Sequence, residues 1–243
     1  MWAAVARLVS KEEVARTPKA KEALDLEWNK LRTKGVWDEK LVRELHKIVQ
    51  EARRKGEKVH LGRIFEACYE KGSELPENDP RRKFKGRTVF QGNNVRDENS
   101  DHALFAELGS SPASMEAAKI LDAFGCQPGY GKEQADAIQA YVQATFNGIP
   151  TWLELPRNRW PKDWEEKYWK PMVPMVLALY GHPDSGGIWE QHLNANLAKK
   201  GWRQILPEMW QSIFRHDELD LILVVYVDDF KMAGPKKLSL IHI

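Results

Sequence analysis

The chain has 243 residues, of which 42% are hydrophobic and 30% are charged, so it can bury a large core. Its formal net charge of +2 excludes a general polycation, and any nucleic-acid contact has to come from local basic clusters. The 2 cysteines lack metal-ligand spacing and argue against a disulfide framework, and no apolar run approaches the roughly 20 residues of a membrane span.

Helical patterns dominate the start of the chain, and we predict a helical N-terminal region over 1–80 that leads into a second region over 81–243. Apolar spacing and capping residues predict three helices in the first region, over 17–35, 38–56 and 61–71. A polar, proline-containing segment over 74–80 is predicted to be a linker.

A basic strand is predicted next, over 81–91. Side chains alternate between the two faces of a strand, so Lys83, Lys85 and Arg87 would share one face. A cationic face of this kind suits phosphate groups. The alternative is an exposed strand with a solvated basic surface, and the periodicity alone favours this alternative.

The middle of the chain alternates between predicted helices and turn-rich segments. Ser111 and Pro112 predict the start of a helix that runs towards Ala123, and Trp189, Leu193 and Leu197 repeat every four residues as in an amphipathic helix. The pattern over 134–146 is also compatible with a helix. Loops or irregular segments are predicted over 92–101, 125–131, 150–169 and 181–187.

A β-hairpin with two carboxylates is predicted near the end, with strands over 220–227 and 230–234 and a turn at Asp228-Asp229. Adjacent aspartates at a turn are commonly just turn formers. Here they follow a strand that is apolar on both faces, which would anchor them to a buried sheet. Two carboxylates held close invite a cation, and their oxygens suit Mg²⁺ or Mn²⁺. Spacing alone does not identify a third carboxylate ligand.

Five patterns occur in order along the chain: an opening helix followed by a Trp over 23–38, the basic strand over 83–89, Asp136 with Ala140-Tyr141, the block over 179–202 that includes Trp189, and Tyr226-Val227-Asp228-Asp229. In this order they resemble the reverse transcriptase of copia-type LTR retrotransposons, in a divergent branch of that family. The resemblance spans 23–234, which is most of the chain.

The resemblance implies an α+β right-hand polymerase fold, with fingers and palm over 81–243 and the thumb missing. It implies that Asp136, Asp228 and Asp229 are catalytic and hold two Mg²⁺ ions, with Mn²⁺ as a possible substitute. Tyr141, five residues after Asp136, would be the steric gate that excludes a ribose 2′-hydroxyl. Lys85 and Arg87 would contact the incoming triphosphate. The substrates would be dNTPs and a primed RNA or DNA template.

As part of a retrotransposon Pol polyprotein, such a domain would work with other Pol segments in a cytoplasmic virus-like particle or in the nucleus, without a membrane or secretion. Two segments depart from the family pattern: 130–135 lacks the apolar strand that normally precedes the first aspartate, and 182–187 lacks the usual Gln and basic residues. The chain stops soon after the hairpin, at a tail over 238–243 that does not continue the pattern, so we expect little activity from it alone.

Two other functions are compatible with the same residues. A catalytically dead transposon fragment could use Lys83, Lys85 and Arg87 only to bind nucleic acid. An unrelated metal-dependent phosphohydrolase could use Asp228 and Asp229.

Overall fold

The computed structural model describes residues 5–105, 113–209 and 212–238. The fold is α+β, as predicted, with 32% of residues in helices and 29% in strands. Contacts divide the chain into two compact units, Met1–Phe105 with Thr145–Ser185, and Ala106–Ala144 with Gly186–Ile243. Within the described ranges, no helix is both long enough and apolar enough to cross a membrane.

The described residues form α1 (Lys11–Arg16), α2 (Pro18–Lys34), α3 (Leu45–Lys55), α4 (Met115–Phe124), α5 (Trp164–Lys167) and α6 (Ser185–Lys199). Short 3₁₀ turns lie at Glu39–Leu41, Tyr141–Gln143 and Arg157–Arg159. The strands are β1 (Ala6–Val9), β2 (Arg43–Glu44), β3 (His60–Lys71), β4 (Lys83–Phe90), β5 (Tyr130–Asp136), β6 (Thr151–Glu154), β7 (Pro171–Pro174), β8 (Arg203–Gln204), β9 (Ile213–His216), β10 (Leu221–Tyr226) and β11 (Asp229–Pro235).

The first unit is built on a six-stranded sheet whose longest strand is β3. β3 pairs with β4 over eight residues, and with β6 and β1 near its two ends. β7 and β2 extend the sheet beyond β6. The predicted boundary at residue 80 would therefore separate β3 from its hairpin partner β4. The two compact units instead divide the chain after residues 105, 144 and 185.

The prediction of a third helix over 61–71 was wrong, because these residues belong to β3. Burial alternates along the strand, and Ile64, Cys68 and Glu70 face inwards while Phe65 and Tyr69 are exposed. With a carboxylate inside and aromatic residues outside, the hydropathy no longer shows the period of two that identifies a strand.

The first predicted helix is confirmed as α2, which ends at Gly35 in the left-handed conformation, φ 74°. It buries Ala20, Trp28 and Leu31, whereas Leu26 is exposed. The second predicted helix is shorter than expected. Residues 39–41 form a 3₁₀ turn and β2 follows, so α3 begins only at Leu45.

The basic strand is confirmed as β4, with the predicted alternation of faces. Gly86, Thr88 and Phe90 are buried, and Gly86 lies against the backbone of α2. The segment over 150–169, predicted to be irregular, also contains β6 and the short helix α5.

A buried histidine, His182, lies in the core of the first unit and is only 4% exposed. The rings of Phe90, Phe105 and Phe146 surround it at centroid distances of 4.8, 5.4 and 4.8 Å. Burial lowers the pKa of His182 to about 3. The imidazole is therefore neutral in the folded protein at ordinary pH.

The second unit is a five-stranded antiparallel sheet in the order β5-β11-β10-β9-β8. One core cluster joins the sheet to α4 through Ala117, Leu121 and Val224. The other joins it to α6 through Leu197 and residues of β10 and β11. A helix on each face explains why β10 is apolar on both sides.

The helix allowed by the pattern over 134–146 is absent, since these residues form the end of β5 and a 3₁₀ turn at Tyr141–Gln143. β5 is the edge strand of its sheet, so its polar side chains face solvent and give no apolar signal. Before it, α4 begins at Met115, and the Ser114 hydroxyl accepts a hydrogen bond from the Ala117 amide. The predicted cap at Ser111 and Pro112 and the tail beyond residue 238 lie outside the described residues.

Candidate functional site

The predicted hairpin is confirmed as β10 and β11, but its loop is one residue earlier than expected. Tyr226 pairs with Asp229, which leaves Val227 and Asp228 as the two loop residues. Asp228 therefore lies at the tip of the hairpin, and Asp229 is the first residue of β11. The sequence had placed both aspartates in the turn.

The position of the hairpin is fixed by the buried side chains of β10. Leu221, Leu223 and Val225 pack in the core cluster that includes α6, and Val224 packs in the cluster with α4. Each of these side chains is less than 5% exposed, and burial of one such side chain stabilises the fold by about 2 kcal/mol. The carboxylates are thus carried by a rigid strand.

Asp136 lies directly opposite Asp229 in the pairing of β5 with β11. The next residue, Ala137, donates its amide hydrogen to the carbonyl oxygen of Asp228 at 2.7 Å. In an antiparallel pair, the position beside such a bond is a non-hydrogen-bonded pair, whose Cα atoms are about 4.5 Å apart and whose side chains are close. The structure therefore brings together the three aspartates that the sequence singled out.

The electrostatics of Asp229 reflect this crowding. The pKa of its carboxyl is raised, first by partial removal from water, and then by the negative charges of Asp228 and Asp136 and a side-chain hydrogen bond with Asp136. Carboxylates that repel one another in this way are stabilised by a bound cation, which reverses the sign of the local interaction.

The donor set fits a hard divalent cation, since all three side chains offer carboxylate oxygens of the kind that Mg²⁺ and Mn²⁺ prefer. Residues 5–105, 113–209 and 212–238 contain no group of three His, Cys, Asp or Glu side chains already arranged around one metal position. The side chains of Asp136, Asp228 and Asp229 are exposed and able to change rotamer.

The loop of the hairpin is strained at Val227, whose φ angle is 59°. Two-residue hairpins commonly have a positive φ at the first loop position, but glycine is the residue that adopts it without steric cost. In a β-branched residue this conformation costs about 1–3 kcal/mol, and such strain is concentrated at functional sites. The surrounding structure must therefore hold Val227 in place.

Tyr141 is half-buried in the 3₁₀ turn that follows β5. It lines a small cavity of about 20 Å³ together with Trp189, Val225 and Val227. The structure thus places Tyr141 beside the hairpin, on the same unit as the three aspartates. This position is compatible with the predicted steric gate and with a packing role.

A larger cleft, of about 610 Å³, runs past Asp136 and Asp229. Its walls also include Ser114 at the start of α4, Tyr226 and Lys231. The Lys231 ammonium group contacts the Asp122 carboxylate at 2.7 Å, so it does not neutralise the aspartates. Clefts of this size are typical of small-molecule sites.

Lys85 and Arg87 lie in the first unit, on β4. The β3–β4 register places side chains of one sheet face opposite one another, in the pairs Tyr69–Lys85, Ala67–Arg87, Lys71–Lys83 and Phe65–Val89. We call this set the basic sheet face. It contains four cations and two partly exposed aromatic rings, and none of the eight residues is acidic.

Two features of the site had no signal in the sequence. The edge strand β5 has too few apolar residues to be predicted, although its register decides where Asp136 lies. The indole nitrogen of Trp189 donates to the carbonyl oxygen of Val227 at 2.8 Å, whereas the helical spacing of Trp189 indicates only that it packs inwards.

No family model matches the chain, and no curated protein matches it either. Any function proposed for the chain therefore rests on its residues and their arrangement.

Proposed function

We propose that the chain is an RNA-directed DNA polymerase domain, with the fingers and palm of a right-hand polymerase, of the copia-type retrotransposon class. The observation that supports this most is the register of Asp136 with Asp229 beside Asp228 at the hairpin tip. A polymerase needs carboxylates from two separate chain segments at one position, on a rigid support. Here the segments are β5 and the β10–β11 hairpin.

Asp136, Asp228 and Asp229 would hold two Mg²⁺ ions. When bound, the ions lower the pKa of a primer 3′-hydroxyl and neutralise charge on the triphosphate. The three aspartates fix where the reacting groups meet, and Tyr141 excludes a ribose 2′-hydroxyl from the space beside the hairpin. The cleft beside Asp136 and Asp229 gives room for a nucleotide or a primer end.

The basic sheet face would hold phosphate groups of a nucleotide or of nucleic acid. Four cations lie within four neighbouring cross-strand pairs and give a local positive field. The chain as a whole has a net charge of only +2 and does not supply such a field. Exposed aromatic rings next to cations also suit unpaired bases. These observations also favour a second candidate, a fragment that binds nucleic acid without catalysis.

The metal site is tested by Mn²⁺ binding, followed by electron paramagnetic resonance, in Asp136→Asn, Asp228→Asn and Asp229→Asn. Each change removes one anionic ligand, and we expect the Mn²⁺ affinity to fall at least about tenfold. Asp163→Asn, which alters an exposed aspartate of the first unit, is the matched control and should leave the affinity unchanged. Equal affinities in all four variants and the unaltered chain would contradict the metal site.

The same Asp228→Asn variant separates the two candidate functions. In a chain joined to a thumb region, it should abolish primer extension on an RNA template while RNA binding persists. A chain that binds RNA but never extends a primer, with or without Asp228, would be the binding fragment.

The steric gate gives a further prediction. Replacing Tyr141 with Val in the thumb-bearing chain should raise ribonucleotide incorporation relative to deoxyribonucleotide incorporation by about tenfold, because the ring no longer fills the space of the 2′-hydroxyl. Tyr141→Phe keeps the ring and should keep the selectivity. The measurement is primer extension with each nucleotide alone, and equal sugar selectivity in the Val variant and the parent would refute the role.

A further inference from the structure

The hairpin that carries Asp228 and Asp229 depends on an unfavourable backbone conformation. Val227 has a φ of 59°, a value that β-branched residues rarely adopt. Its neighbours in the chain are Tyr226, at the end of β10, and the second loop residue Asp228, and both are exposed. The side chains of these two neighbours therefore give little packing that could hold this conformation.

Trp189 supplies the missing restraint from α6. Its indole N–H donates to the Val227 carbonyl oxygen at 2.8 Å, and the side chain is only 5% exposed. The ring stacks on His192, one turn along the helix, with an angle of 25° between the planes. Leu193 and Leu197 pack the same helix against the sheet. The packing of α6 and the stacked His192 ring thus fix the position of the indole N–H beside the loop.

The hydrogen bond restrains the Val227 carbonyl group, which would move if the loop relaxed. Rotation of Val227 towards a negative φ reorients the peptide groups beside it and carries Asp228 with them. It would also leave the buried indole N–H without its acceptor, which is unfavourable. Loss of the strain is therefore coupled to loss of a partly buried hydrogen bond.

We propose that Trp189 is a positioning residue, whose indole N–H holds Val227 in the left-handed conformation and thereby fixes the hairpin tip that presents Asp228 and Asp229. Its effect on metal binding rests on the proposed function of the aspartates. Its effect on the order of the hairpin does not.

The decisive variant is Trp189→Phe, which keeps an aromatic ring and removes the donor. We expect the amide hydrogens of Asp229 and of Ala137, which donates to the Asp228 carbonyl oxygen, to exchange about fivefold to tenfold faster, the effect of one net hydrogen bond. The thermal midpoint should fall no further than in the control variant. The Mn²⁺ affinity should fall by a similar factor. Trp164→Phe, at a buried tryptophan of the first unit, is the control and should leave hairpin exchange unchanged.

A second change tests whether the strain at Val227 is the reason that the hairpin needs the Trp189 hydrogen bond. Glycine adopts a positive φ freely, so Val227→Gly removes the need for the restraint. In that background, Trp189→Phe should accelerate hairpin exchange by less than about twofold. A full effect in the glycine background would overturn the strain argument.

The outcomes separate the two ideas. Unchanged hairpin exchange in Trp189→Phe would refute the positioning role, whatever the metal does. If the hairpin amides exchange faster in Trp189→Phe but the unaltered chain binds no Mn²⁺, the positioning role is upheld and the proposed metal site is refuted.

Discussion

Replacing Gly86 with alanine is expected to destabilise the first unit by about 3 kcal/mol. A Cβ atom at this position would lie 2.3 Å from the carbonyl oxygen of Ala23 and 2.9 Å from the Cα atom of Leu24. Both are backbone atoms of α2, so no side-chain rotation relieves the contact. Either the helix or β4 has to move, and this would disturb the packing of Ala20 of α2 against Cys68 of the neighbouring strand β3.

The loss of stability can be measured as the free energy of unfolding in urea, followed by far-ultraviolet circular dichroism. Gly131→Ala is a matched control, because Gly131 is also a strand glycine. Its added Cβ would meet only the flexible side chain of Lys236, at 3.1 Å, and we expect a change within about 1 kcal/mol. Equal stability of Gly86→Ala and the parent would show that α2 does not pack closely on β4.

Acid is expected to destabilise the first unit through His182. The Nδ1 atom of His182 accepts a hydrogen bond from the Asp184 amide at 3.1 Å. The Nε2 atom lies 3.3 Å from the Thr151 hydroxyl, whose own hydrogen is donated to the Ile149 carbonyl. Nε2 therefore carries the ring hydrogen and Nδ1 is the acceptor, so the neutral tautomer satisfies both contacts.

The direction of the pH effect follows from the lowered pKa. In the unfolded chain, His182 takes up a proton near its ordinary pKa of about 6.5, whereas in the folded chain it does so only near pH 3. Between these values the unfolded state binds more protons, so stability falls as the pH falls. From pH 6.5 to pH 4, His182 alone should remove about 3 kcal/mol of the free energy of unfolding.

Other buried groups also contribute to the pH dependence of the free energy of unfolding. Burial also lowers the pKa of His60, which adds to the acid sensitivity, and raises the pKa of Asp184, which opposes it. The contribution of His182 is therefore the difference between the parent and His182→Asn, whose side-chain oxygen can still accept from the Asp184 amide. Urea unfolding at several pH values should give a shallower slope for His182→Asn and the parental slope for the exposed control His46→Asn. Parallel profiles of His182→Asn and the parent would contradict the prediction.

The sequence was informative where a local pattern and the tertiary environment agree. α2 has a proline in its first turn and a glycine at its end, and β4 alternates charged and buried positions. β10 is apolar on both faces because helices cover both faces of its sheet. In each case the side chains needed for packing are also those that produce the periodicity.

The predictions failed where pairing partners decide the structure. β3 carries a buried glutamate and exposed aromatic residues, and β5 has no large apolar side chain after Tyr130, so neither has the hydropathy of a strand. Their hydrogen bonds come from β4 and β11. Main-chain pairing depends on neighbours that are distant in the sequence, and local propensity does not encode it.

The sequence by itself determined the hairpin, its two aspartates and the basic strand, whereas Asp136 became the third candidate ligand only through the family resemblance. Only the tertiary structure decided that Asp136 lies opposite Asp229, that Val227 carries the strain of the loop, and that Trp189 restrains it. The physical reason is that residue type and spacing set which groups are available within one segment. Strand register and side-chain hydrogen bonds between segments set which of those groups meet.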